Sequence, residues 1–161
     1  MTYAYPYVAG SMVQSRIYVK AYIRVVELAT MKKQQKSVDK ETFFRAFADR
    51  TRLRLLNLMG KDEVCVCFFV EILKIHQPKI SRHLAYLRRA GIVGARRDGP
   101  WMHYRVVEPP DEDAAKVLRE TMNWLASDPE MQRDRDRLAK VCCAPQLPIR
   151  IKSAPRPTSY A

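Results

Sequence analysis

Residues 77–91, QPKISRHLAYLRRAG, constrain this chain more than any other stretch: they are amphipathic and basic, and two strand-like runs follow at once. At about 100° per residue, Ile80, Leu84 and Leu87 fall on one side and Lys79, Arg82, His83 and Tyr86 on another. Pro78 suits a first helical turn, where its missing N–H leaves no bond unmade, and Gly91 suits the position just past the helix end. One side packs and the other faces outward. The runs 92–98 and 101–107 meet at Asp98-Gly99, a dipeptide that favours the positive φ of a hairpin turn. Alternation then sets Met102, Tyr104 and Val106 on one face of the hairpin and Trp101, His103 and Arg105 on the other. Pro100 fits the start of an edge strand, since it has no N–H for a ladder.

Helical spacing also governs the residues before this unit. Phe43, Ala46 and Phe47 predict a first helix capped by Asp39, and Leu53, Leu56 and Met59 a second, from near Thr51 to Gly60. A third is expected over 68–75, with Ile72 and Leu73 inward. After the hairpin, Pro109-Pro110 breaks the chain, and Asp111, Glu112 and Asp113 supply the negative charge that a helix N-terminus favours. The stripe Ala114, Val117, Leu118, Thr121 and Leu125 continues that helix, and Asp128-Pro129 separates it from a charged helix over 130–141. The order is that of a winged helix-turn-helix, mainly α with a small β-hairpin wing (α+β), with residues 77–90 as recognition helix.

The expected organisation has four parts. Residues 1–36 are an N-terminal extension, read either as a short helix carrying Ile17, Ala21, Val25 and Leu28 or as a mis-assigned start ahead of Met31. Residues 37–108 form the DNA-binding domain, 109–144 two C-terminal helices, and 145–161 a tail with four prolines, expected to be disordered.

Charge points to the partner. The chain has 29 Lys and Arg against 17 Asp and Glu, a formal +12, and between Ile72 and Val107 eight basic residues stand against Asp98 alone. A major groove admits one α-helix, so the exposed side of 77–90 meets base edges and phosphates of double-stranded DNA. Gln77 suits adenine and Arg82 guanine; Ser81, His83 and Tyr86 are adaptable donors; Lys79, Arg88 and Arg89 suit phosphate, and Arg96 and Arg97 extend the contact from the wing. No run approaches the roughly eighteen apolar residues of a membrane span, and Arg16, Lys20 and Arg24 interrupt any signal-like core. The expectation is a cytoplasmic protein with no membrane partner, in which the four cysteines stay reduced.

Four motifs now combine: Phe47-Ala48-Asp49-Arg50-Thr51-Arg52-Leu53, Val64-Cys65-Val66-Cys67, residues 77–84 with Ser81 and His83, and a hairpin ending in Tyr104-Arg105. In this combination, over about residues 42–107, the chain resembles the ArsR/SmtB family of metal- and metalloid-responsive repressors, and within it the arsenic-responsive members. The resemblance implies a homodimer whose first and fifth helices pair, which makes 109–144 the dimerisation helices, together with an inverted-repeat operator and an inducer that releases it. Cys65 and Cys67 match the first two cysteines of the arsenic signature, whose third position here is Val70; a good cap is also missing before the recognition helix, where the chain has His76.

A trivalent arsenic or antimony centre takes three soft thiolates, so Cys142 and Cys143 are the remaining candidates to complete a set with Cys65 or Cys67. A thiol redox switch and four inert core cysteines stay open beside it. The family's zinc variants use His on the fifth helix, and 111–125 has none; its cadmium and lead variants use N-terminal cysteines, and 1–64 has none. A thiol enzyme such as an arsenate reductase needs Cys, five residues, then Arg, and no cysteine here has that spacing. No catalytic residue or cofactor is assigned.

Overall fold

Three carboxylates that begin helices set much of the chain's course in the computed structural model, which describes residues 38–157 and 159. The expected N-terminal helix and alternative start fall outside the described residues. Helix α1, Lys40–Phe47, follows Asp39, and Phe43 meets Phe47 edge-on at 5.1 Å. Asp49 then accepts a bond from Arg52 N at 2.9 Å and opens α2, Arg50–Met59, which stops where Gly60 turns to φ +53°. Asp111 accepts from Ala114 N at 3.0 Å to open α5, Glu112–Ser127, and Asp128 accepts from Glu130 N and Met131 N to open α6, Pro129–Cys142. Among the described residues no helix is long and apolar enough to cross a membrane.

Between α2 and α5 lie strand β1, Val64–Cys65, helix α3, Val66–Leu73, helix α4, Gln77–Arg89, and strands β2, Val93–Asp98, and β3, Trp101–Val106. Two expectations change here. The third helix begins two residues earlier than 68, because Cys65 is its N-cap, and it ends by turning Lys74 into the left-handed region at φ 54°. The wing is also not two-stranded: β1 adds to it antiparallel in the order β1-β3-β2, with Val64 opposite Tyr104 and Cys65 opposite His103. The strand after Pro100 is therefore central. Pro100 is tolerated because it sits in the turn itself: Asp98 pairs with Trp101, and Gly99 at φ +55° and Pro100 are the loop.

The core gathers Phe68 and Phe69 of α3, Leu55 and Leu56 of α2, and Ile80, Leu84 and Leu87 of α4, all fully buried. Phe43, Leu118 and Leu138 close it from α1, α5 and α6. Along α5, Leu118 and Leu125 are buried as the stripe predicted, while Ala115 rather than Ala114 completes the inner face. The tail expected to be disordered packs instead. It forms a 3₁₀ turn at Ile149–Ile151 against α3, buries Ile151 and Ala154, and returns Arg156 Nη2 to Ala144 O at 2.8 Å. Its prolines prevent a helix but not burial of the apolar residues between them.

Candidate nucleic-acid interface and thiol pair

The buried row Ile80, Leu84 and Leu87 fixes the roll of α4 on the domain, and this decides which of its polar side chains reach solvent. Gln77, Lys79, Ser81, Arg82, Arg88 and Arg89 are exposed. Among the described residues none of Lys79, Arg82, Arg88 and Arg89 is paired with a carboxylate, so their charge is presented outward. His76 gives no side-chain cap, yet its carbonyl accepts from Lys79 N and Ile80 N at 3.0 and 3.2 Å, which holds the first turn.

His83 and Tyr86 stand differently from the rest of the expected set. Both are half-buried, because positions 83 and 86 border the packed row and face the start of α2. His83 Nδ1 lies 3.4 Å from Asp49 Oδ1. Burial lowers the His83 pKa against the pull of Asp49, and Arg52, Lys79 and Arg82 push it the same way. Tyr86 is sandwiched between guanidinium groups, Arg52 at 4.4 Å and Arg89 at 4.7 Å from its ring centre. Arg52 in turn donates from Nε to Ala46 O at 2.8 Å. These contacts tie the recognition helix to the α1–α2 turn, a role for Asp49 and Arg52 that periodicity does not reveal.

In the wing, Arg97 is exposed and donates to Gly99 O, while Arg96 is held by Glu63 at 3.0 Å and Asp98 at 3.1 Å. His103, set by alternation on the hairpin face with Trp101 and Arg105, is only 4% exposed, and among the described residues its Nε2 has no partner. The added strand β1 makes β3 central and sets Cys65 opposite His103.

β1 also delivers the thiols. Cys65 is buried at the head of α3 and Cys67 is half-buried two residues on, and Cys67 Sγ donates to Cys65 Sγ at 2.7 Å. That bond, helped by backbone N–H groups of Cys67 and Met102, outweighs burial and brings the Cys65 pKa down to about 7. The same bond, with burial, drives the Cys67 pKa upward, so the pair readily loses one proton and holds the other. Cys142 is buried at the end of α6, and burial first, then its neighbour Cys143, lift its pKa to about 11. Cys143 is exposed. No three His, Cys, Asp or Glu side chains among the described residues gather closely enough to hold one metal ion. The four cysteines are thus one close pair and one adjacent pair, and not a ready-made three-thiolate site within the chain.

The model of the bacterial regulatory protein arsR family matches residues 49–94, from the α2 cap into β2. The arsenic resistance transcriptional regulator ArsR1 of Pseudomonas putida is 40% identical over 111 residues, 66% of this chain and 82% of that protein. The arsenical resistance operon repressor of Escherichia coli is 38% identical over 102 residues, covering 63% and 86%. This chain belongs to the ArsR family. A probable mercury resistance operon repressor of Streptomyces lividans is 43% identical over 77 residues, 48% of this chain and 62% of that one. As an ArsR-family protein it is a DNA-binding transcriptional regulator and not an enzyme, and the matched segment contains both Cys65 and Cys67 together with the whole of α4. Cys142, Cys143 and the packed tail lie beyond it.

Proposed function

We propose that the protein is a homodimeric repressor that binds an inverted-repeat operator through α4 and the wing, and leaves it when trivalent arsenic or antimony binds its thiolates. The observation that carries this reading is the 2.7 Å approach of Cys65 and Cys67, and the bond from Cys67 that brings the Cys65 pKa down to about 7 supports it. Two thiolates this close on one turn satisfy two bonds of a pyramidal trivalent centre or of a thiophilic mercury ion. For the third bond we assign Cys143, the exposed member of the second pair, brought in by movement of the chain end or from the partner subunit. Cys142, buried and held protonated, supports its position.

Phe44 on α1 and Trp124 on α5 are 58% and 78% exposed, and both suit a second copy as partner. DNA contact is assigned to Gln77, Lys79, Ser81, Arg82, Arg88, Arg89, Arg96 and Arg97, with His83 and Tyr86 orienting the helix.

The test titrates arsenite and phenylarsine oxide against an operator complex of the full chain, in the wild type and in Cys143→Ser. Phenylarsine oxide needs two thiolates and arsenite three. Release of both proteins by phenylarsine oxide, with arsenite acting only on wild type, is the expected result. Failure of either reagent to bind wild-type thiols excludes the reading. The same proximity favours one rival: hydrogen peroxide would take two electrons from the pair, form a Cys65–Cys67 disulfide and leave as water. Release by peroxide with none by arsenicals selects that rival.

A further inference from the structure

The basic surface is divided. Among the described residues no acid pairs with the arginines of α4, whereas on the wing Arg96 is held at two points, Nε on Glu63 Oε1 at 3.0 Å and Nη1 on Asp98 Oδ2 at 3.1 Å. Arg–carboxylate and Arg–phosphate pairs use the same planar fork, so a phosphate and Glu63 compete for one guanidinium. Glu63 comes from outside the hairpin. It lies two residues before Cys65, at the entry to β1, and the alternation of a strand sets both on one face of the sheet. Cys65 pairs with His103 across β1 and β3, and His103 pairs with Arg96 across β3 and β2, so the three form a row from thiol to wing arginine. The middle of that row is a buried imidazole whose Nε2 has no partner among the described residues, and such close packing tolerates little displacement at Cys65 without moving its neighbours.

We propose that Glu63 is a regulatory residue: it competes with operator phosphate for Arg96, and β1 carries the state of the thiol pair to that competition. The regulatory half rests on the inducer reading above. Operator binding draws Arg96 off Glu63 onto phosphate. A metalloid bridging Cys65 and Cys67 at the other end of the same two-residue strand fixes β1 in the position where Glu63 keeps Arg96. Asp98, within the hairpin, moves with Arg96 and sets affinity without sensing the thiols.

Four full-length variants separate these statements: Glu63→Gln, Asp98→Asn, Arg96→Ala and the double variant Glu63→Gln with Arg96→Ala, each titrated on an operator duplex by fluorescence anisotropy over a salt series. Glu63→Gln is expected to bind about threefold tighter or more, with a salt dependence steeper by about one phosphate contact. The double variant should lose that gain. A Glu63→Gln protein of unchanged affinity overturns the proposal, and so does a double variant that keeps the gain, since the effect would then be general charge and not Arg96. With phenylarsine oxide as probe, Glu63→Gln should bind the reagent as wild type does but release DNA by a smaller factor, while Asp98→Asn keeps the wild-type factor. Equal release factors for Glu63→Gln and wild type overturn the regulatory half. Wild-type protein that binds no phenylarsine oxide removes the inducer reading instead, and the salt series still decides whether Glu63 competes for Arg96.

Discussion

Arg54 donates from Nε and Nη2 to the two carboxylate oxygens of Asp134 at 2.6 and 2.8 Å, and Asp134 is only 1% exposed. One turn earlier on both helices, Arg50 grips Glu130 in the same two-point way, and Asn57 Nδ2 reaches Met131 O at 2.8 Å. Together they lay α6 alongside α2, the helix that leads into the thiol strand.

Removing Arg54 leaves the buried carboxylate only the longer contact with Arg137, 3.7 Å away, so Arg54→Ala is expected to cost about 3 kcal/mol of folding stability. Arg50 is exposed, and Arg50→Ala should cost under about 1 kcal/mol. Urea unfolding of the two variants reads the difference, and equal midpoints would show that Asp134 does not depend on its partner.

Ile151 is 2% exposed against α3 and the rest of the core, although it lies in a segment that composition marks as a tail. Truncation to alanine should therefore cost about 2 kcal/mol or more, as for other buried Ile residues. Ile149, 93% exposed in the same turn, is the control, and Ile149→Ala should move the urea midpoint little.

The elements with strong periodicity were readable from sequence and the pairings between distant elements were not. Ile80, Leu84 and Leu87 announced the packed side of α4, and Asp98-Gly99 the hairpin, with an error of one residue in where the turn sits. β1 is two residues long, too short for any alternation to show, and it is this strand that makes β3 central and places Cys65 beside the wing, opposite His103. The tail misled because prolines report the absence of helix and say nothing of apolar side chains such as Ile151 that find room on α3. At the site, spacing alone put Cys65 and Cys67 near one another, but the distance between their sulfurs depends on the strand-to-helix turn that begins α3. The half-buried settings of His83 and Tyr86 depend likewise on Asp49 and Arg52, which come from another helix.

Trp124 and Phe44 are large apolar side chains left in water, and the proposed dimer would bury them as anchors of its interface. Trp124→Glu is expected to weaken self-association by about 30-fold or more while leaving the urea midpoint near wild type, since the residue makes little of the core. Sedimentation velocity over a concentration series measures it. A Trp124→Glu protein that remains dimeric at the wild-type concentration would place the interface elsewhere.

The thiol pair makes a pH signature that neither cysteine has alone. An ordinary cysteine ionises near pH 9, and Cys65 does so at about 7 because Cys67 donates to its thiolate. Because Cys65 is buried, its ionisation is read spectroscopically: the ultraviolet thiolate absorbance of a Cys142→Ser, Cys143→Ser background should rise with a first midpoint near pH 7 and move up towards 9 when Cys67→Ala is added. Stability follows with a definite sign. Between about pH 7 and 9 the folded chain has released the Cys65 proton and the unfolded chain keeps it, so stability should rise with pH across that window and be lost as pH falls through 7. Above 9 the unfolded chain gives up both protons while the folded chain holds that of Cys67, whose pKa is raised, and the trend reverses. Cys67→Ala should flatten both limbs. A thiolate absorbance whose first midpoint stays at 9 with Cys67 present would show that Cys67 does not donate to Cys65 in solution, and with that the two-thiolate site proposed for the inducer would lose its preformed charge.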